Sequence, residues 1–155
     1  MSGVVSDADQ LRATTDAILK VLEGVIDPCS QAAGAPVGLV SMGLVRDVSV
    51  TGPPGAVIVN VELGITEPGC MMQGIFAAAA EREIRLLPGV ADVGVRIDHA
   101  YVWDPDDMAA EYRVRLTMMR ADRRLRAERH LLRDGQGPRA QMRTTDTAPT
   151  RPSSR

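Results

Sequence analysis

The sequence predicts an α/β (α+β) fold with an α-β-β-α-β core, in which helices pack on a small three-stranded mixed sheet and a long C-terminal helix follows. Two segments, 9–26 and 72–87, repeat apolar residues at helical spacing. Residues 57–63 and 93–97 alternate apolar and other residues at strand spacing. The turn sequence at 51–55, Thr-Gly-Pro-Pro-Gly, joins two strand-like segments. These observations favour a mixed sheet over a helical bundle.

Composition limits the classes of protein that the chain fits. Its 155 residues are 45% hydrophobic and 25% charged, which suits one globular domain with a tail. The net charge of -2 predicts no general attraction to nucleic acid or membranes. No apolar run approaches the roughly 20 residues that span a bilayer, and residues 1–7 lack the pattern of a signal peptide. We therefore predict a cytoplasmic protein.

The chain divides by composition into four segments. We predict a flexible N-terminus over 1–8, an α/β domain over 9–119, an Arg-rich helical extension over 120–133 and a disordered tail over 134–155. The tail is rich in Gly, Pro, Ser, Thr and Arg and has hardly any apolar residue, so it lacks the means to form a core.

The first helix begins at Ser6, where Asp9 completes a pattern resembling a capping box. Asp27-Pro28 is predicted to end it, because the residue before proline is disfavoured in the helical region. The small residues from Cys29 to Val40 predict a loop.

Two strands follow, at 44–50 and 56–63, and their short connection predicts an antiparallel hairpin. The helix over 72–87, which is expected to bury Ile75 among other apolar residues, ends at Pro88-Gly89. A third strand at 93–97 completes a strand-helix-strand unit, and this predicts a parallel pairing with a right-handed connection.

The last helix is predicted to begin at Asp104-Pro105 and to run to about Arg133. Its first half carries an apolar stripe formed by Met108, Tyr112, Leu116 and Met119. Its second half, 120–133, is almost entirely polar and predicts a solvated helix end.

Cys70 lies where a strand, a tight turn and a helix meet. Unpaired N–H groups and the positive end of the helix dipole favour the thiolate, which is the form that binds metals and attacks electrophiles. The other cysteine is Cys29, and two cysteines are too few for a disulfide framework. Without a CxxC motif or a Cys/His cluster, one chain does not predict a closed zinc site.

Five short motifs occur in a fixed order over roughly residues 14 to 117, and together they resemble the SufT- and PaaD-like family of iron–sulfur cluster assembly proteins. They are Asp27-Pro28, Ser41-Met42-Gly43-Leu44-Val45, Thr66-Glu67-Pro68-Gly69-Cys70, Leu87-Pro88-Gly89-Val90 and Trp103-Asp104-Pro105. The resemblance implies an α/β fold and a role in maturing iron–sulfur proteins or multicomponent oxygenases.

The resemblance also implies site residues. The family's functional cysteine falls on Cys70, and its Asp-Pro-Glu motif falls on Asp27, Pro28 and Cys29, so a thiol replaces the usual acid. We predict that Cys70 and Cys29 hold iron or a [2Fe–2S] cluster transiently. The site-shaping residues would be Asp27, Pro28, Thr66, Glu67 and Gly69, and the partner-binding residues would be Trp103, Met108 and Tyr112.

A [2Fe–2S] cluster normally needs four ligands, and a two-fold homodimer would supply the second pair of thiols. Partners would be apo iron–sulfur or iron-dependent clients and the assembly scaffold, with no role for nucleic acid or a membrane. One alternative is a non-catalytic adaptor for assembly or activity of a multicomponent bacterial monooxygenase. Another is a thiol-dependent enzyme, which would need a base beside Cys70.

Overall fold

The computed structural model describes residues 6–133. The predicted disordered tail and most of the predicted flexible N-terminus lie outside these residues. The chain separates into two compact units, with the division between Met119 and Arg120.

The first unit begins with helix α1 (Asp7–Gly24). Its predicted cap is confirmed, because the Ser6 side chain accepts a hydrogen bond from the Asp9 N–H at 3.2 Å. The helix ends at Gly24, earlier than predicted, and Asp27 caps a second helix, α2 (Pro28–Ala32). The prediction that Asp27-Pro28 ends the first helix was therefore wrong. The loop predicted from Cys29 to Val40 was also wrong over its first residues, which belong to α2. An acid followed by proline at the first helical position is a helix start.

The sheet has the predicted strands and pairing. Strands β1 (Val45–Thr51), β2 (Val57–Leu63) and β3 (Val90–Ile97) lie in the order β1-β2-β3. β1 pairs antiparallel with β2, and β2 pairs parallel with β3. The hairpin and the parallel crossover are both confirmed.

The core lies between one face of this sheet and two helices. The buried face of the central strand consists of Val57, Val59, Val61 and Leu63, as the alternation predicted. Helix α3 (Gln73–Arg85) crosses between β2 and β3 and buries Phe76, Ala80 and Ile84, while α1 buries Ile18 and Leu22. Ile75 was predicted to be buried but is 57% exposed.

The C-terminal helix begins later than predicted. Asp104 caps a short 3₁₀ helix (Pro105–Asp107), and Met108 then adopts an extended conformation before α4 (Ala110–Arg133) begins. The prediction of one continuous helix from Pro105 was therefore wrong.

In the second unit, every described residue from 120 to 133 is exposed, which agrees with the predicted solvated helix end. Among the helices within residues 6–133, none combines the length and apolar character needed to cross a membrane.

Candidate functional site

The turn before Cys70 is built by Pro68 and Gly69. Cys70 N–H donates to the Glu67 carbonyl oxygen at 3.2 Å, which closes a four-residue turn. Gly69 has a φ of 81°, the left-handed conformation that the third position of a type II turn requires, and Pro68 precedes it at the position where proline is favoured. The turn leaves Cys70 partly buried against the core, and helix α3 begins three residues later.

Cys29 is positioned by a second, independent arrangement. The buried Asp27 carboxylate accepts a hydrogen bond from the Ser30 N–H at 2.6 Å and so caps α2. The Ser30 hydroxyl donates to the Asp27 carbonyl oxygen at 2.7 Å and accepts from the Val37 N–H at 3.1 Å. With Pro28 at the first helical position, these bonds fix the start of α2 and hold Cys29 in its first turn, exposed to solvent.

The fold brings the two predicted thiols together. Cys70 lies near enough to Cys29 to affect the pKa of its thiol. Partial desolvation of the sulfur, in a residue that is exposed overall, raises the pKa of the Cys29 thiol above that of an ordinary cysteine. The negative charge of Asp27, the Cys70 thiol and the charge of Glu67 raise this pKa further. Three other predicted site residues thus act electrostatically on Cys29.

Electrostatically, this site favours a positive charge. The negative charges of Asp27 and Glu67 oppose the loss of the Cys29 proton. A cation bound between the sulfurs would reverse that balance, since it would be attracted by the same charges and would stabilise the thiolate. Within residues 6–133, no group of three or more His, Cys, Asp or Glu side chains could hold a metal ion.

The predicted partner-binding residues are buried or half-buried. Met108 and Tyr112 are buried, and the Tyr112 hydroxyl donates to the Ala35 carbonyl oxygen at 2.8 Å. Trp103 is half-buried, and its indole N–H donates to the Met42 carbonyl oxygen at 2.9 Å. These contacts attach the segment after β3 to the core, and a role in binding partners stays a prediction.

Sequence reasoning missed an exposed apolar surface close to the thiols. Met71, next to Cys70, is 92% exposed, and Ile75 on the first turn of α3 is also exposed. A groove of about 430 Å³ between α1 and α3 is lined by Ile75, Phe76 and Pro28, the residue before Cys29. In the sequence, the apolar residue Ile75 could have indicated this surface. Its exposure, however, depends on how α1 and α3 pack, which the sequence pattern does not show.

A cluster beside the loop after β3 was also missed. The Arg46 guanidinium lies 3.5 Å from the centre of the Tyr101 ring, and the Tyr101 hydroxyl donates to the Asp107 carboxylate. This hydrogen bond lowers the pKa of Asp107 and raises the pKa of Tyr101. These contacts connect β1 to the 3₁₀ helix and so have a structural role.

The fold is a small α+β domain in which Cys29 lies at the start of α2 and Cys70 lies shortly before α3. The model of a family described as iron-sulfur cluster assembly protein matches residues 15–97, more than half of the chain. The chain belongs to this family. Its membership confirms the resemblance to iron–sulfur assembly proteins.

One named relative agrees with this membership. An iron-sulfur cluster carrier protein from Synechocystis sp. is 34% identical over 84 residues, which cover 54% of this chain and 21% of that relative. The chain therefore spans about a fifth of the relative's length.

Two solved structures share the fold. A domain of unknown function from Bacillus anthracis has a TM-score of 0.59 and 23% identity, covering 71% of this chain and 97% of that one. A conserved hypothetical protein from Thermotoga maritima has a TM-score of 0.51 and 28% identity, covering 75% of this chain and 98% of that one.

Proposed function

We propose that this protein carries iron or an iron–sulfur cluster as transient cargo, bound through Cys70 and Cys29, and delivers it to client proteins. The observation that carries this proposal is the electrostatic influence of Cys70 on the Cys29 thiol, in a chain that belongs to an iron–sulfur cluster assembly family. The relative named as a carrier supports the same role. Thiolates are the protein ligands that iron–sulfur clusters use most.

The surroundings of the thiols suit reversible binding. Asp27 and Glu67 attract a cation to the site, while Cys29 keeps its proton when no cation is bound. Binding would therefore release protons, and rising acidity would weaken it. Because Cys29 is exposed and Cys70 is only partly buried, a client's own ligands have access to the cargo. Access of this kind is what transfer by ligand exchange requires.

The number of ligands favours a shared cluster. Two thiols from one chain satisfy half of the coordination of a [2Fe–2S] cluster. A two-fold homodimer would present the same pair twice and complete the set. Transfer would then require the dimer to open or a client to replace one pair of thiolates.

Clients and the assembly scaffold would bind beside the thiols. Met71 and Ile75 are exposed there, and the groove containing Pro28 continues this apolar surface along α1 and α3. Exposed apolar residues that surround a reactive group are typical of protein interfaces. This surface is a better site for clients than the buried Met108 and Tyr112. Assignment to the SufT- and PaaD-like branch and a cytoplasmic location also belong to this proposal.

The role proposed here is binding and transfer rather than catalysis. The thiol-dependent enzyme would require surroundings that favour the thiolate, whereas the charges of Asp27 and Glu67 raise the pKa of Cys29 and so disfavour its thiolate. The comparisons name no oxygenase, so the adaptor for a bacterial monooxygenase has no support from them.

Iron and acid-labile sulfide per chain, measured with the visible absorption spectrum on anaerobically reconstituted protein, test the proposal. We expect wild type and Met71→Ala, a matched variant that changes an exposed neighbour, to bind both elements. Cys70→Ser should lose them, and Cys29→Ser should lose most of them if both thiols are ligands. Circular dichroism checks that each variant is folded. Colourless wild-type protein, or full iron content in Cys70→Ser, would contradict the proposal.

A further inference from the structure

We propose that the free edge of strand β3 pairs with the same edge of a second copy of this chain, so that the three-stranded sheet continues from one copy into the other. The two β3 strands would run antiparallel about a two-fold axis at Gly94. The inference names a surface for the homodimer that the proposed function uses. The pairing itself depends on the strand alone and needs no cargo.

The outer edge of β3 directs unpaired backbone groups away from the sheet. In the described part of the chain, β3 pairs with β2 alone. Asp98 N–H donates to the Leu63 carbonyl oxygen at 2.8 Å, so the backbone groups of this even-numbered residue face β2. Because successive residues of a strand alternate in direction, those of Val93, Val95 and Ile97 face outward. Such groups are a template for a further strand.

The Val93 N–H confirms this outward direction. It donates to Asp92 Oδ1 at 2.9 Å, a carboxylate oxygen of the preceding residue, rather than to a carbonyl oxygen of another strand. The Asp92 side chain is 68% exposed, and Arg85 Nη1 lies 3.9 Å from the same oxygen. An exposed side chain thus occupies the position that the carbonyl oxygen of a partner strand would take. Pairing would exchange one acceptor for the other.

The sequence of β3 is complementary to its own reverse about Gly94. Val93 would face Val95 of the second copy, and Asp92 would face Arg96 of the second copy. The two valines lie on the side that packs against the core, whereas the Asp92 and Arg96 side chains are 68% and 76% exposed. Opposite charges directly across neighbouring strands stabilise a sheet, and like charges destabilise it. The two-fold axis repeats each of these pairs.

The hydrogen bonds and the charges select the same register. Residues that exchange both backbone bonds must have outward-facing groups, and Val93 opposite Val95 meets this condition. Gly94 then faces itself as a non-hydrogen-bonded pair, in which Cα atoms approach to about 4.5 Å. A shift by one residue would oppose outward-facing and inward-facing groups. A shift by two would place Gly94 opposite Asp92 or Arg96 and so remove the ion pairs.

The test compares metal-free wild type with Arg96→Asp and Asp92→Arg by analytical ultracentrifugation over a series of protein concentrations. We expect wild type to dimerise reversibly and each variant to sediment as a monomer, because each change places like charges across the strand pair. Arg12→Asp and Asp9→Arg are the matched controls, since they make the same charge changes on exposed side chains of α1. Both controls should dimerise like wild type, and circular dichroism checks that every variant is folded.

A mixture of the two variants tests the register. Asp92→Arg chains carry positive charge at both positions and Arg96→Asp chains carry negative charge at both, so one chain of each restores the ion pairs. Dimers should therefore reappear in the mixture, and native mass spectrometry should show one chain of each kind in them. In wild type, the Val95 and Ile97 amides should become protected from hydrogen exchange as the protein concentration rises.

Three results would overturn the proposal: a wild-type monomer at every concentration, dimers that persist in both edge variants, or a mixture that stays monomeric. Iron content then separates this inference from the proposed function. A protein that dimerises through β3 but never binds iron keeps the interface and loses the carrier role. A protein that binds iron only as a monomer keeps the carrier role and loses the interface.

Discussion

Cys70 lies near enough to Cys29 to raise the pKa of the Cys29 thiol, although the two residues belong to separate segments of the chain. Cys29 is held by the cap at the start of α2, and Cys70 is held by the turn that follows β2. Each support uses a different kind of interaction, a buried carboxylate in one case and a left-handed glycine in the other. Removing either support should therefore lower the free energy of unfolding, and the two losses can be measured separately.

Replacing Asp27 by alanine removes the acceptor that caps α2. Its carboxylate is buried and accepts from the Ser30 N–H at 2.6 Å, so the variant leaves a buried donor without this partner. We expect the free energy of unfolding to fall by about 1–2 kcal/mol, measured by urea denaturation. Ser6→Ala removes the exposed cap of α1 and is the control. An equal loss in both variants would contradict the importance of the buried cap.

Gly69→Ala tests the turn that presents Cys70. A side chain there has open space but must adopt a φ of 81°, so the cost is strain alone, about 1 kcal/mol. Gly74→Ala is the matched control, because Gly74 lies inside α3 and also has open space around it. Alanine there should stabilise the helix by about 0.5–1 kcal/mol. Urea denaturation should give opposite signs, and the same sign in both would refute the argument.

The raised pKa of Cys29 predicts a pH dependence of both reactivity and stability. The folded state keeps the Cys29 proton at pH values where the unfolded chain has lost it. This contribution to stability is therefore complete below the pKa of an ordinary cysteine and is lost as the pH rises through the folded value. Peptide-resolved iodoacetamide labelling should give a midpoint for Cys29 above that of free cysteine.

Asp27→Asn is the control for this titration, because the amide keeps an acceptor for the Ser30 N–H but carries no charge. The midpoint of Cys29 labelling should fall in this variant, since the Asp27 charge is one of the causes that raise the pKa. An unchanged midpoint would mean that the carboxylate does not act on the thiol.

The elements predicted correctly are those whose signal is local. Val57, Val59 and Val61 alternate with outward-facing residues, so their period fixes the strand and its buried face before any tertiary contact is known. The turn at 51–55 fixes the antiparallel pairing of β1 and β2 in the same way. Helix α3 between β2 and β3 predicts the parallel crossover because a strand-helix-strand connection has a strong preference.

The remainder depends on contacts that a linear pattern does not encode. Helix α2 has five residues, too few to show helical periodicity, and the Asp27-Pro28 signal suits the end of one helix as well as the start of another. Ile75 carries an apolar side chain at helical spacing, but its exposure is decided by the packing of α3. Only the family resemblance suggested that Cys29 approaches Cys70. No periodicity relates the two residues.

Gly38 tests how the segment after α2 is held against α1. A Cβ atom at this position would lie 1.9 Å from the Glu23 carbonyl oxygen, which is backbone and has little freedom to move. Gly38→Ala should therefore lower the free energy of unfolding by about 1–3 kcal/mol, measured by urea denaturation. Gly24→Ala is the matched control, since a Cβ there meets nothing within 4 Å. That variant should leave stability unchanged or slightly raised. If Gly38→Ala were as stable as wild type, the segment around Gly38 would have to move away from α1. The Asp27 N–H donates to the carbonyl oxygen of the neighbouring Val37 at 2.9 Å, so such a movement would reach the start of α2. The iodoacetamide reactivity of Cys29 should then change.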